Sequence, residues 1–194
     1  MEYTLRELMT IVAAREIKDV SIGFCGTGIA MLAAMAAKNI NAPDCVIFFE
    51  TGAIDAKRDE LPLAVADSRV MYHTSANGGL LDAFATMQNS ITGKLVVGIL
   101  GAAQIDKFGN LNSTVIGDYF HPVTRFSGSG GGCDVASFVS KSIIFMQLEK
   151  RKFVSKLDYM TSPGHIDGPE GRKKVGLPEG GPAGAYTQER GVPF

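Results

Sequence analysis

Glu50 closes the apolar run Cys45-Val46-Ile47-Phe48-Phe49 and is followed at once by Thr51-Gly52. Such a run, bounded by Asp44 and a Thr-Gly turn signal, predicts a buried strand, central and parallel. The carboxyl end of that kind of strand is where open α/β sheets place ligands and chemistry. A carboxylate there is partly desolvated and can bind a ribose, pair with a cation or act as a nucleophile. Three glycine-bearing turns offer it company. Gly26-Thr27-Gly28 precedes a helical segment and, with Glu50 ending the next strand, imitates a dinucleotide-binding fingerprint. Met31 stands where the third glycine of that fingerprint belongs, so an ordinary tight turn is the competing reading.

The second turn is Ser127-Gly128-Ser129-Gly130-Gly131-Gly132-Cys133-Asp134. Successive glycines let backbone N–H groups converge into an anion nest or oxyanion hole. No Gly-Lys-Ser/Thr follows, so it is not a Walker loop. The third turn, 101–112, carries Gln104, Asp106 and Asn110 off the end of a buried strand. Those side chains either reach a ligand or cap the backbone of their own turn. His73, His121 and His165 are far apart and form no metal-ligand spacing, so no metal site is predicted.

The elements that must position these groups follow from periodicity. Thr4-Leu5-Arg6-Glu7 is a capping-box pattern and opens a first helix over 5–17. A strand over 20–25, a helix over 29–38 and the strand ending at Glu50 make a βαβ unit. Residues 53–61 read as a loop or short helical turn, 80–90 as a helix and 94–100 as a second buried strand. A short helical turn over 135–139 and a third strand over 142–148 follow. From 161 to 184 the composition shifts to Gly, Pro and charge, which fits either a disordered tail or a loop laid on a surface.

Bulk properties narrow the class. A chain of 194 residues fits one domain with a real core. A net charge of −1 and a pI near 6.3 argue against nucleic-acid and anionic-membrane binding. The 23 glycines exceed the roughly 14 of average usage, which favours backbone turned toward ligands. Cys25, Cys45 and Cys133 form no CxxC pair, and Cys25 and Cys45 read as small buried hydrophobes in a reducing compartment. No signal peptide and no membrane-spanning run is read, so a cytoplasmic location is expected.

In order along the chain, Ala42-Pro43-Asp44-Cys45, Glu50-Thr51-Gly52, Gly101-Ala102-Ala103-Gln104-Ile105-Asp106 and Gly109-Asn110-Leu111-Asn112-Ser113-Thr114 form one pattern. It continues through Ile116-Gly117-Asp118-Tyr119, Thr124-Arg125-Phe126, Gly128-Ser129-Gly130-Gly131, Thr161-Ser162-Pro163-Gly164 and Asp167-Gly168-Pro169. The pattern resembles the beta chain of family I coenzyme A transferases, of the glutaconate CoA-transferase type. The resemblance implies an α/β fold with an open, mostly parallel sheet and helices on both faces. It implies a single domain over 1–194, short at its C-terminal end relative to the family, and an alpha subunit with the active site between the chains in an α2β2 or larger hetero-oligomer.

It further implies that Glu50 is the nucleophile and that CoA passes from an acyl-CoA, glutaconyl or a related short dicarboxylic group, to a carboxylate acceptor. A glutamyl anhydride and a glutamyl-CoA thioester are the expected intermediates. Gly128, Ser129, Gly130, Gly131 and Gln104 are the expected oxyanion and CoA-binding residues. The CoA thioester is substrate, and no permanently bound cofactor is expected. Relatives on the same scaffold decarboxylate or hydrolyse CoA thioesters and lack the glutamate, so Glu50 favours transfer. A non-catalytic CoA- or nucleotide-binding relative is the alternative from another class.

Overall fold

The computed structural model describes residues 3–26, 28–56, 62, 64–189 and 191–194. The fold is α/β, an open, mostly parallel sheet with helices on both faces, as expected from the sequence. The chain divides into two compact units, Met1–Ile99 and Leu100–Phe194.

The first unit begins with α1 (Leu5–Glu16), closed at its start by a reciprocal cap. The Thr4 hydroxyl accepts from Glu7 N–H at 3.2 Å, and the Glu7 carboxylate accepts from Thr4 N–H at 2.7 Å. Then follow β1 (Ile22–Cys25), α2 (Ile29–Ile40), β2 (Val46–Phe49), β3 (Ala53–Ile54), β4 (Ala76–Asn77), α3 (Leu80–Gln88) and β5 (Val96–Leu100). β1 lies between β5 and β2 and is parallel to both. β2 is parallel to β1 but antiparallel to β3, so the strand before Glu50 is parallel on one side only.

The pleat sorts the side chains between two faces. Cys25, Ile47 and Phe49 pack with Met31, Ala34 and Ala37 of α2 and Ala14 of α1. Phe24 points the other way, edge-on to Phe48 at 5.2 Å between centroids and 6.2 Å from Phe84 of α3. Residues one apart in a strand face opposite ways, so each face receives its own helices. The buried alanines of α2 let that helix approach closely. Burial pushes the Cys45 thiol pKa up, consistent with its reading as a small hydrophobe. Of the predicted 53–61 loop, residues 57–61 lie outside the described residues, and Ala53–Ile54 is a short strand.

The second unit contains β6 (Gln104–Ile105), β7 (Leu111–Asn112), β8 (Val115–Gly117), β9 (Pro122–Arg125), α4 (Gly132–Phe138), β10 (Lys141–Phe145), α5 (Gly171–Lys174), β11 (Pro182–Tyr186) and β12 (Gly191–Pro193). β10 and β11 are parallel, and β12 is antiparallel to β11. The turn-rich 101–112 segment is a hairpin of β6 and β7, and β8 and β9 form another. Two-residue strands are too short to show alternation, so periodicity passes over them. The helix expected from 135 starts at Gly132, inside the glycine run.

The 161–184 segment is folded onto its unit. Arg172 is 5% exposed and is held by carbonyls rather than by a carboxylate. Its Nη1 donates to Ala136 C=O at 3.0 Å and Gly164 C=O at 3.1 Å, its Nη2 to Ser137 C=O at 2.7 Å and its Nε to Pro178 C=O at 3.1 Å. Two of those carbonyls belong to the last turn of α4, where orphan carbonyls favour a cation. Among the described residues no helix is long and apolar enough to cross a membrane.

Candidate active site

Glu50 sits on a corner. Gly52 N–H donates to Phe49 C=O at 2.9 Å, closing a β-turn in which Glu50 and Thr51 hold the two central positions. The turn lifts Glu50 off the end of β2 and leaves it half-buried. Among the described residues its carboxylate has no hydrogen-bond donor and no cation. Thr51 Oγ1 beside it is buried and unpartnered among the described residues.

Gly52 fixes the corner from behind. Its φ is +90°, and Gly78 N–H donates to its carbonyl at 2.9 Å. A Cβ at Gly52 would lie 2.1 Å from Gly78 O, so this position demands glycine twice over. The neighbouring Gly26–Gly28 turn leads into α2 with Gly28 as cap at φ +72°. Thr27 lies outside the described residues. Met31, which breaks the dinucleotide fingerprint, is 1% exposed in the core under α2. The turn therefore serves helix–sheet packing with a large side chain where the fingerprint needs none.

In the second unit the glycine loop is narrower as a donor site than its sequence implies. Gly128 N–H donates to Ser113 C=O at 3.3 Å, and Gly128 C=O accepts from Ser113 Oγ at 3.1 Å. That N–H is already engaged. Gly132 N–H donates to Ser129 C=O at 2.7 Å. The N–H groups of Ser129, Gly130 and Gly131 have no acceptor among the described residues. Gly130 has φ +47° and Gly131 φ −78°, a left-then-right-handed sequence of the kind that turns successive N–H groups to one side.

Gln104 is 6% exposed and held on both ends of its amide. Its Nε2 donates to Asp158 Oδ2 at 2.9 Å, while its Oε1 accepts from Asn112 Nδ2 at 2.7 Å and Asp158 N–H at 3.1 Å. Its side chain lines a cleft of ≈ 750 Å³ shared with Ser113, Phe126, Ser127, Arg151 and Lys152. Asp106 and Asn110 turn inward instead. Asp106 Oδ1 accepts from Phe108 and Asn110 N–H, and Asn110 Oδ1 accepts from Gly164 and Ile166 N–H. Of the two readings of this turn, capping is the one these two residues follow. The cleft and its Arg151–Lys152 rim have no sequence signal except a basic run, Lys150-Arg151-Lys152. Among the described residues no group of three or more His, Cys, Asp or Glu could hold a metal ion.

A coenzyme A transferase family profile matches residues 6–179. The chain is 44% identical over 178 residues to the beta subunit of glutaconate CoA-transferase of Acidaminococcus fermentans, covering 91% of this chain and 66% of that protein. It is 38% identical over 185 residues to the beta subunit of 3-oxoadipate CoA-transferase of Pseudomonas knackmussii, covering 95% of this chain and 70% of that one. The chain thus spans about two thirds of the length of these relatives. The crystal structure of glutaconate coenzyme A-transferase from Acidaminococcus fermentans superposes with a TM-score of 0.95 at 41% identity, over 100% of this chain and 75% of the other.

Proposed function

Since the chain belongs to the coenzyme A transferase family, we propose that it is the beta subunit of a cytoplasmic CoA-transferase with Glu50 as its nucleophile. The observation that carries this is the Glu50 corner: a half-buried carboxylate, off the end of a strand, with no partner among the described residues. A carboxylate with no partner in its own chain keeps its oxygens available to attack an electrophile.

The carboxylate attacks the thioester carbonyl of an acyl-CoA, forming a C–O bond as the C–S bond breaks and CoA thiolate leaves. The thiolate then attacks the Glu50 carbonyl of the mixed anhydride, releasing the acyl carboxylate and leaving a glutamyl-CoA thioester. An acceptor carboxylate reverses the two steps, and Glu50 is regenerated. The chemistry calls for no resident cofactor. Each tetrahedral step develops an oxyanion, and the open N–H groups of Ser129, Gly130 and Gly131 are suited to an anion of the substrate. Gln104 holds the floor of the cleft through Asn112 and Asp158 rather than by a free amide. A short dicarboxylic acyl group such as glutaconyl is the donor favoured by similarity to the glutaconate CoA-transferase beta subunit. An alpha subunit completes the enzyme.

Incubating the α–β complex with acyl-CoA and then borohydride or hydroxylamine tests the reading. Inactivation with modification mapped to Glu50 is expected. An active complex that never carries label at Glu50 would exclude it as nucleophile. The beta chain expressed alone is expected to be inactive.

A further inference from the structure

The peptide between Gly128 and Ser129 has no steric reason to keep one orientation. Gly128 has φ +93°, and apart from its chain neighbours no atom lies within 4 Å of where a Cβ would stand. Rotation about this glycine is therefore blocked neither by a side chain nor by packing. Hydrogen bonds hold it instead, and Ser113 supplies both. The Ser113 carbonyl accepts from Gly128 N–H at 3.3 Å and fixes the peptide before the glycine. The Ser113 hydroxyl donates to Gly128 C=O at 3.1 Å and fixes the peptide after it. In a trans peptide the carbonyl and the following N–H point opposite ways. Drawing Gly128 C=O toward Ser113 thus turns the Ser129 N–H away from it, and that N–H has no acceptor among the described residues. Ser113 is itself anchored. Its N–H donates to Thr161 Oγ1 at 2.9 Å, and the buried Thr161 hydroxyl lies 2.7 Å from Thr114 Oγ1.

We propose that Ser113 is a positioning residue for the reaction: its hydroxyl sets the Gly128–Ser129 peptide so that the Ser129 N–H is presented to the oxyanion of the tetrahedral step. The inference rests on the CoA-transfer reading and adds a residue to it. Ser113 lines the cleft, but a serine hydroxyl has one proton and this one goes to Gly128 C=O. None is left to donate to a substrate oxygen, so Ser113 acts through the loop. Donation to the carbonyl also polarises the amide, which makes the Ser129 N–H a better donor to developing negative charge. The backbone clamp between Ser113 C=O and Gly128 N–H does not depend on the side chain. Removing the hydroxyl therefore frees one peptide plane and leaves the base of the loop tied.

The test compares Ser113→Ala and Ser113→Thr in the α–β complex, measuring kcat and KM for glutaconyl-CoA together with the melting temperature. Outright loss of an oxyanion donor lowers kcat by about 10²–10³-fold, so a donor left in place but no longer aimed predicts a fall of about 10- to 10²-fold in Ser113→Ala. KM should change little, because the interaction lost belongs to the transition state. The melting temperature should hold, and Ser113→Thr, which keeps the hydroxyl, should recover most of the rate. Full kcat in Ser113→Ala would overturn the proposal. So would a loss that Ser113→Thr does not lessen, which would assign the effect to packing at this position. A change confined to KM would overturn it too, by assigning Ser113 to direct contact with bound substrate. Failure of the two readings is separable: a wild-type complex that moves no CoA sinks transfer and the positioning role with it. An active complex indifferent to Ser113→Ala sinks the positioning role alone.

Discussion

The two units are built on different principles. In the first, the buried side chains are almost all apolar, with Thr10 and Ser21 the polar ones among those described. In the second, Gln104, Asn110, Asn112, Thr161, Ser162 and Arg172 are all buried and polar. The first unit is a hydrophobic βαβ core with the half-buried Glu50 carboxylate, unpartnered among the described residues, at the end of β2. The second is a polar lattice in which side-chain amides and a guanidinium hold backbone where short strands cannot. A side chain can be left free where nothing nearby depends on it. A loop of backbone donors must instead be braced from outside.

The sharpest break between the units should come from Glu50→Gln. Transfer activity of the α–β complex is expected to fall by about 10⁴-fold or more. The melting temperature should hold, because no described group loses a partner. A large drop in stability would erase the contrast. Arg172→Met probes the other side by leaving three buried carbonyls, and that of exposed Pro178, without their donor. A loss of about 3–5 kcal/mol in denaturant unfolding is expected. Hydrogen exchange should rise in 164–178 and at the end of α4.

Gly52→Ala asks how rigid the Glu50 corner must be. The new Cβ would displace Gly78 O or the turn, and a shift of about 1 Å at the proposed nucleophile predicts roughly 10²-fold lower kcat. The smallest effect is at Glu7. Its carboxyl is held below the ordinary carboxylate range by the Thr4 backbone N–H and then by the Thr4 hydroxyl. This contribution to α1 is therefore present above the unfolded pKa of a glutamate and fades as pH falls through the lowered folded value. Glu7→Gln should flatten the acid limb of the stability curve slightly and leave activity alone.

The contrast also governs what can be read from residues alone. Phe24, Phe48 and Phe49 announce a strand, and the small-residue stripe of α2 announces a helix, because apolar burial writes a period into the sequence. Glu50 is legible at a strand end for that reason. β3 is not, since two residues carry no period and its pairing with β2 is set by the turn between them. In the second unit the organising contacts join Asn110 to Ile166 and Arg172 to Ala136, far apart along the chain and polar. Nothing local marks Arg172 as buried: it lies in a Gly- and Pro-rich stretch beside Lys173 and Lys174. The glycine loop is visible in the sequence, but that Gly128 N–H is engaged by Ser113 depends on a partner 15 residues away.

The approach of Gly52 to Gly78 limits how this protein can change. With no room for a single carbon and a backbone angle that L side chains rarely adopt, position 52 takes no side chain without displacing the corner. Adaptation to a new acyl group must therefore proceed elsewhere, through side chains that meet the substrate. The geometry that presents the proposed nucleophile would pass unchanged from one specificity to the next.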